Sequence, residues 1–220
     1  MKFVIRPMRF SDIPQVTEID KEAFPTMWPL TSFKRELTNK LAFYFVACEN
    51  GSKAPPPPAQ GEGESNSAER KRGVGGWLRG LFSSNKAAQA SPVNSEPIVG
   101  FAGVWRMFDE VHLTSIAVRQ SHRRQGIGEA LLIAAMDYAV EHGSETATLE
   151  VRVSNLEAQA LYERYGFKRV GLRHGYYTDN HEDALIMTTD RITSAPYQAQ
   201  FQKLKQEYSE KRSSADARVQ

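Results

Sequence analysis

The chain has little of what marks a secreted, membrane-spanning or polyanion-binding protein. Its 220 residues include one cysteine, Cys48, which excludes a disulfide framework and a multi-cysteine zinc site. No apolar run exceeds about eight residues, far short of a membrane-spanning helix. The 28 Lys and Arg residues nearly balance the 26 Asp and Glu residues, so we expect no direct nucleic-acid binding. The first six residues lack the apolar core of a signal peptide, and we expect a cytoplasmic protein without a membrane span.

The composition is sufficient for a folded domain, but one stretch departs from it. Hydrophobic residues make up 40% of the chain, enough to bury a full core. Residues 51–97 hold six of the 11 prolines and seven of the 15 glycines, which is typical of a flexible linker. We expect a disordered insertion into one domain formed by residues 1–50 and 98–190, because residues 1–50 are too few to fold alone. Residues 191–220 are predicted to form a polar C-terminal tail.

One segment of this insertion has a distinct composition. The basic run Arg70–Arg72 is followed by the apolar and aromatic cluster Trp77–Phe82. Basic residues beside such a cluster are typical of contacts with an anionic membrane, an RNA or a partner groove. Three glycines, at positions 73, 75 and 76, argue against a stable helix there. We favour a disordered linker, with weak docking of a partner through Arg70–Phe82 as the alternative.

The rest of the chain alternates predicted strands with predicted helices. The strands are expected at residues 3–6, 41–48, 98–107, 111–118, 146–153, 167–171 and 184–189. The helices are expected to begin near Asp12, Thr31, Gly126 and Ser154, and apolar residues at helical spacing follow the first of these. Strands mixed with helices on both faces predict an α/β (α+β) fold.

The most specific motif is a basic, glycine-containing turn between a strand and a helix. It consists of Ile116, Ala117, Val118, Arg123, Arg124, Gln125, Gly126, Ile127, Gly128 and Glu129. The first amides of a helix have no partner within it and carry partial positive charge, so the turn predicts a pyrophosphate site. Gly126 and Gly128 allow close approach of the backbone, and the arginines add permanent positive charge. A glycine-punctuated helix start with solvated arginines is the alternative, and the spacing fits neither a Walker loop nor a Rossmann fingerprint.

Several motifs, in order along the chain, resemble the GNAT superfamily of N-acetyltransferases. Arg-x-x-Gly-x-Gly after Ile-Ala-Val resembles the acyl-CoA-binding motif of that superfamily. Leu-Glu-Val-Arg-Val-Ser-Asn at 149–155 and Ala-Leu-Tyr-Glu-Arg-Tyr-Gly-Phe at 160–167 are similar to its RimI branch, bacterial enzymes that acetylate protein N-termini, typically that of ribosomal protein S18. The resemblance covers residues 1–50 and 98–190. It implies a mixed, splayed central sheet flanked by helices on both faces.

The same resemblance implies acetyl-CoA as the cosubstrate, and we expect no metal. The backbone of residues 116–118 would pair with the pantetheine arm, and the amides of residues 124–129 would hold the pyrophosphate. Asn155 would also contact the cofactor, although its place in a segment with capping-box spacing leaves a purely structural role open. The five histidines show no metal-ligand spacing.

Two residues are candidates for acid–base catalysis. By resemblance Glu150 is the general base, with a solvated charge or an ion pair to Arg152 as the alternative. Tyr162 matches the residue that protonates the departing coenzyme A thiolate, with a half-buried core aromatic as the alternative. An α-amine, with a pKa of about 8, loses its proton at neutral pH more easily than a lysine with a pKa of about 10.4. We expect direct acetyl transfer, since no activated Cys or Ser is placed to carry the acetyl group.

The acceptor side is defined less sharply by the sequence. The resemblance implies that Trp28, Tyr176 and Tyr177 wall a peptide groove, with ordinary packing as an equal alternative. Asp183 or Glu182 is a candidate for holding a substrate amine, although such acids usually face water. The resemblance implies a protein N-terminus as substrate, the alanine of ribosomal protein S18. A GNAT enzyme acting on a lysine or a small amine, and a non-catalytic CoA-binding module, stay open as alternatives because acceptor loops vary in this superfamily.

Overall fold

The computed structural model describes residues 3–25, 31–49 and 96–217, with side chains described as far as residue 214. Trp28 and the Arg70–Phe82 segment lie outside the described residues. Of the expected insertion, Glu96 and Pro97 are described.

The described residues form the alternation of strands and helices that the sequence predicts. The strands are β1 (Phe3–Pro7), β2 (Ala42–Glu49), β3 (Ile98–Met107), β4 (Glu110–Val118), β5 (Thr146–Arg152), β6 (Phe167–Tyr177) and β7 (Glu182–Thr189). The α-helices are α1 (Ile13–Ala23), α2 (Phe33–Glu36), α3 (Ile127–Glu141), α4 (Leu156–Arg164) and α5 (Ala195–Ala217). β6 runs six residues beyond the predicted end at Gly171, because it pairs with β7 along a longer hairpin.

The strands form one mixed sheet in the order β1-β2-β3-β4-β5-β7-β6. β4 and β5 are parallel, and the other neighbouring strands are antiparallel. The parallel pairing extends from Glu110 and Thr146 to Leu113 and Leu149. Beyond that point β4 stays with β3 and β5 stays with β7, so the two strands separate. The predicted mixed sheet with a central opening is confirmed.

Helices cover both faces of the sheet, as predicted. On one face α3 buries Leu131, Leu132 and Met136 completely, within the larger core cluster. On the other face α1 buries Val16 and Ile19, and Phe33 of α2 lies in the same smaller cluster. The helical spacing of the apolar residues in α1 places them on one side of the helix, and α1 packs against the sheet with that side.

The segment after β7 differs from the expected polar tail. It forms α5, which contributes Phe201 and Leu204 to the larger core cluster, while Ile192 just before it is fully buried. The Tyr197 hydroxyl donates a hydrogen bond to the carbonyl of Tyr165 at 2.9 Å. A few apolar residues on one side of an otherwise polar helix are enough to dock it. None of the described helices is long and apolar enough to cross a membrane.

The residues on either side of the 50–95 stretch lie next to each other in the sheet. The amide of Glu49 donates to the carbonyl of Pro97 at 2.8 Å. Arg6, with 7% of its side chain exposed, pairs with Asp12 at 2.7 Å and with Glu96 at 3.3 Å. β2 and β3 are therefore the two strands of a hairpin whose connection is residues 50–95.

Candidate active site

A tight turn joins β4 to α3, and two of its residues have left-handed backbone conformations. Arg124 has φ of 63° and Gly126 has φ of 77°. Gly126 directly precedes α3, and its carbonyl accepts a hydrogen bond from the amide of Ala130 at 3.0 Å. The amides of residues 127–129 therefore have no partner within the helix and lie at its N-terminus. A Cβ at Gly128 would meet only Val118 Cγ2, at 3.9 Å, so the backbone there is open to a ligand.

Arginine side chains of the β4–α3 connection hydrogen-bond to strand carbonyls and hold this turn in place. Arg123 Nε donates to the carbonyl of Val118 at 3.3 Å, and Arg119 Nε donates to the carbonyl of Ile98 at 3.0 Å. Arg124 is 76% exposed and pairs with the equally exposed Glu157 at 2.7 Å. An exposed ion pair of this kind contributes little to stability, so the Arg124 guanidinium can turn to an anionic ligand at small cost.

The predicted cofactor residues fall in two adjoining places. Ile116, Ala117 and Val118 lie in the part of β4 that does not pair with β5. Arg123, Arg124, Gln125, Gly126, Ile127, Gly128 and Glu129 form the turn and the first turn of α3. The structure thus brings an open strand edge and a helix N-terminus together at the opening of the sheet. This arrangement fits an extended ligand that carries a pyrophosphate.

Asn155 has a clear structural role at the start of α4. Its side-chain oxygen accepts a hydrogen bond from the amide of Ala158 at 3.2 Å. Asn155, rather than Ser154, is therefore the N-cap residue of this helix.

Glu150 lies on β5 just after the last residue that pairs with β4. Its side chain is 9% exposed. Its Oε2 lies 2.6 Å from Nε2 of His112 on β4, and its Oε1 lies 3.1 Å from Nε of Arg173 on β6. The carboxylate is thus held from both sides, at the point where the sheet opens.

Arg152 does not pair with Glu150, so the ion pair between them that was the alternative role for Glu150 is not formed. Its guanidinium donates to both carboxylate oxygens of Asp179 at 2.9 Å and to Glu182 at 3.0 Å. It also lies 3.8 Å from the ring centroid of Tyr177, a cation–π contact. Arg152 therefore fixes the β6–β7 hairpin to β5.

The two acidic residues predicted to hold an acceptor amine both accept hydrogen bonds from other residues of the protein. Glu182 accepts a hydrogen bond from the amide of Ser154 at 2.8 Å, and the hydrogen bonds to Ser154 lower the pKa of Glu182 to about 2. Asp183 accepts from the amide of Gly175 at 2.8 Å and from His174 at 2.9 Å, which lowers its pKa. Both carboxylates therefore shape β6 and β7.

Tyr162 lies on α4, the helix that follows β5. It is half-buried, and its ring centroid is 5.8 Å from that of Phe167. Burial raises the pKa of Tyr162 well above its usual value, with a smaller contribution from Tyr177 nearby. Within the described part of the chain, its hydroxyl makes no hydrogen bond. The hydroxyl is therefore protonated at neutral pH, and among the described residues it donates to no acceptor.

Tyr176 and Tyr177 stand beside Glu150 at the end of β6. Their rings are perpendicular, with centroids 5.2 Å apart, and Tyr176 is 45% exposed. Burial raises the pKa of both hydroxyls, that of Tyr177 to about 12, and the negative charge of Glu150 contributes in each case. The structure thus brings Glu150, the two tyrosines and Tyr162 into one region.

Two contacts of Glu150 were not found from the sequence. His112 faces Thr148 across the parallel strands, two residues before Glu150 on the same side of β5. Arg173 reaches Glu150 from β6, across β7. No short segment of the sequence predicts either contact, because both depend on which strands are neighbours in the sheet. In the ranges that the structure describes, no group of three or more His, Cys, Asp or Glu residues could hold a metal ion.

Comparison with known proteins places this geometry in a family. A family profile described as "Acetyltransferase (GNAT) family" matches residues 67–167. The chain is 32% identical over 187 residues to the putative [ribosomal protein bS18]-alanine N-acetyltransferase of Bacillus subtilis (strain 168), an alignment covering 84% of this chain and 94% of the relative. It is 39% identical over 116 residues to the [ribosomal protein bS18]-alanine N-acetyltransferase of Escherichia coli (strain K12), covering 50% of this chain and 78% of the relative.

A solved structure agrees with these matches. The crystal structure of the ribosomal-protein-S18-alanine N-acetyltransferase from Escherichia coli aligns with a TM-score of 0.61 and 26% sequence identity, covering 86% of this chain and 94% of the other. The chain therefore belongs to the GNAT family of acetyltransferases. It is an acetyl-CoA-dependent N-acetyltransferase with RimI-type relatives, and the predictions of family and enzyme class are confirmed.

Proposed function

We propose that this enzyme transfers the acetyl group of acetyl-CoA directly to the α-amine of the N-terminal alanine of ribosomal protein bS18. The relatives from Bacillus subtilis and Escherichia coli carry the name of that reaction, and the first matches over nearly its whole length. One observation carries the proposal: Glu150, with 9% of its side chain exposed, lies at the point where β4 and β5 separate, and Tyr162 lies on the next helix.

The residues around the opening of the sheet suit acetyl-CoA, which supplies the activated thioester. In the proposed site, the open edge of β4 at residues 116–118 pairs with the pantetheine arm as a further strand would. The backbone amides of residues 124–129 bind the pyrophosphate, assisted by the positive end of α3 and by Arg123 and Arg124. The side-chain amide of Asn155 donates to the cofactor while its oxygen caps α4.

Glu150 acts as the general base in this proposal. The acceptor must be a neutral amine, and an α-amine with a pKa of about 8 reaches that state more readily than a lysine with a pKa of about 10.4. Glu150 takes the proton from the amine, directly or through one water molecule. His112 and Arg173 orient the two carboxylate oxygens, which fixes the direction in which Glu150 accepts that proton.

Tyr162 acts as the general acid and donates its proton to the departing thiolate. The raised pKa of its hydroxyl keeps that proton in place at neutral pH. Direct transfer is supported by Cys48, which is 1% exposed and whose pKa is raised by burial to about 11. A cysteine that carried the acetyl group would need a lowered pKa and access to the site.

The acceptor peptide lies against the β6–β7 hairpin in this proposal. Tyr176 and Tyr177 form its wall, together with Trp28, which lies outside the described residues. We assign Asp183 and Glu182 to positioning the hairpin, because Asp183 already accepts a hydrogen bond from Gly175 within it and Glu182 accepts one from Ser154 beside it.

We further propose that residues 1–50 and 98–190 form a single acetyltransferase domain, extended by α5 and interrupted at residues 51–97. The hydrogen bond between Glu49 and Pro97 and the continuous sheet support this assignment. A ribosomal substrate implies a cytoplasmic enzyme.

A mass-resolved acetylation assay tests the function. One peptide carries the N-terminal sequence of bS18, with a free alanine and an internal lysine, and its twin is blocked at the N-terminus. We expect label on the free α-amine alone. Glu150→Gln should lower kcat by about 10²–10⁴-fold. Glu163→Gln, an exposed carboxylate on α4 paired with Arg169, should leave kcat unchanged.

Three outcomes would contradict the proposal. Label on lysine in both peptides would move the enzyme to the lysine or small-amine class. Binding of acetyl-CoA without label on any acceptor would indicate a CoA-binding module. Unchanged kcat in Glu150→Gln would remove the general-base role while leaving the acceptor assignment in place.

A further inference from the structure

A residue of α5 contacts the turn that precedes α3. The Tyr208 hydroxyl donates a hydrogen bond to the carbonyl of Gly126 at 3.2 Å. The Tyr208 ring also lies against Gly126, since a Cβ at that glycine would be 3.3 Å from Cε2 of Tyr208. The same carbonyl accepts the first hydrogen bond of α3, from Ala130, so it has a donor for each of its lone pairs. Tyr208 thus contacts the residue that sets the direction of the first helical amides.

The preceding residue of α5 reaches the same helix turn through an intermediate side chain. Arg164 Nη2 donates to Glu207 at 3.1 Å, and Arg164 Nη1 donates to Glu129 at 2.8 Å. The Tyr165 hydroxyl donates to the same oxygen of Glu129 at 2.8 Å. Glu129 lies in the first turn of α3, where a free carboxylate would repel a pyrophosphate. These contacts keep the Glu129 carboxylate paired with the Arg164 guanidinium.

We propose that Tyr208 is a positioning residue for acetyl-CoA: through Gly126 it holds the β4–α3 turn in the conformation that binds the pyrophosphate. This inference rests on the proposed function, which places the pyrophosphate at that turn. A turn with a left-handed arginine at position 124 is costly to maintain, and it persists when surrounding contacts fix it. If the turn adopted other conformations in the free enzyme, the apparent affinity would fall by the fraction that is competent to bind.

The hydroxyl of Tyr208 is suited to this role at neutral pH. Burial raises its pKa, so it remains a hydrogen-bond donor throughout the range in which the enzyme would be assayed. Tyr208 does not touch Glu150 or Tyr162 in the described structure, so its removal is expected to affect cosubstrate binding and not the chemical step.

Tyr208→Phe tests the inference, with Tyr197→Phe as a matched control. Both variants lose one hydroxyl from α5, but Tyr197 donates to the carbonyl of Tyr165, at the end of α4. Calorimetric titration of the full chain with CoA should show about three- to tenfold weaker binding by Tyr208→Phe, the effect of one lost hydrogen bond. The kcat should be unchanged. Tyr197→Phe should bind CoA as the wild type does.

A truncated cosubstrate separates positioning of the turn from general stability. S-acetylpantetheine lacks the pyrophosphate, so its kcat/KM should be the same for Tyr208→Phe and wild type. Equal affinity of Tyr208→Phe and wild type for CoA would overturn the inference. An equal loss in both tyrosine variants, or an equal loss with S-acetylpantetheine, would also overturn it. Wild type that fails to bind CoA would overturn the proposed function as well, whereas normal binding and acetylation by Tyr208→Phe would overturn the inference alone.

Discussion

His112 Nε2 on β4 lies 2.6 Å from Glu150 Oε2 on the neighbouring parallel strand β5. The contact lies beside the last paired residues of the two strands, Leu113 and Leu149. Arg173 approaches the other carboxylate oxygen from β6. One side chain at the opening of the sheet, on β5, is therefore oriented by residues from two other strands, β4 and β6.

Replacement of His112 should slow the chemical step. His112→Leu removes the ring nitrogen that orients Glu150, and we expect kcat to fall about tenfold, as a partial loss of general-base catalysis. His112→Gln keeps a polar group near the carboxylate and should lose less. The KM for acetyl-CoA should stay the same in both. Steady-state kinetics beside His142→Gln, an exposed histidine at the end of α3, checks this, and equal kcat in all three variants would contradict it.

Replacement of Tyr162 should remove the proton donor for the thiolate. Tyr162→Phe is expected to lower kcat by about 10²-fold, with little change in CoA affinity. Because burial raises the pKa of Tyr162, the hydroxyl of the wild type keeps its proton beyond the usual value of about 10. The kcat of the wild type should therefore not decline below pH of about 10. A descending limb with a lower midpoint in the pH–rate profile would be inconsistent with Tyr162 as the acid.

Arg152→Met should weaken binding of the acceptor and leave CoA binding intact. The change removes the ion pairs to Asp179 and Glu182 and the contact with the Tyr177 ring. Loss of these contacts at the tip of the β6–β7 hairpin should raise the KM for the peptide about tenfold. Arg169→Met, which removes an exposed ion pair elsewhere on β6, is the control. An unchanged peptide KM in Arg152→Met would show that the hairpin does not bind the acceptor.

Glu182 should contribute to stability in a defined range of pH. Hydrogen bonds to Ser154 lower its pKa in the folded protein from 4.5 to about 2. Its contribution is therefore fully present above pH 4.5 and is lost as the pH falls through about 2. The difference in Tm between wild type and Glu182→Gln should shrink across this range in thermal melts. A difference that is constant from pH 6 to the acid limit of about 2 would contradict this assignment.

Removal of residues 50–95 should have little effect on the domain. The hydrogen bond from Glu49 to Pro97 shows that the two ends are adjacent, so a short Gly-Ser turn can join them. The entropic cost of a loop changes slowly with its length, so Tm and turnover of the bS18 peptide should be nearly unchanged. A large fall in Tm would contradict this. Activity that is lost on the ribosomal substrate and kept on the peptide would instead identify a docking role for Arg70–Phe82.

The elements of the fold could be predicted because their signals are local. Apolar periodicity marks α1, and β-branched and aromatic runs mark β2 to β5. The burial of α5 could not be predicted in this way. Phe201 and Leu204 are two apolar residues in a mainly polar helix, and their importance depends on the core surface that α5 meets.

The candidate site was predictable where its residues form continuous motifs. Glu150, Tyr162 and the β4–α3 turn lie within such motifs. His112 and Arg173, by contrast, contact Glu150 from other strands, and no local segment of the sequence indicates the order of the strands in the sheet. The alternative pairing of Glu150 with Arg152 relied on their shared side of β5. In the folded chain, Asp179 and Glu182 offer Arg152 better geometry, including a bidentate pair.

Four residue pairs, from Glu110–Thr146 to Leu113–Leu149, join the two halves of the sheet before β4 and β5 part. In the proposed site, the pantetheine arm takes up the hydrogen-bonding positions that β4 leaves vacant beyond Leu113. The cosubstrate then pairs with β4 as a transient additional strand, from the binding of acetyl-CoA until coenzyme A departs. In this proposal the sheet gains a strand-like partner at the edge of β4 in each catalytic cycle and loses it when the product leaves.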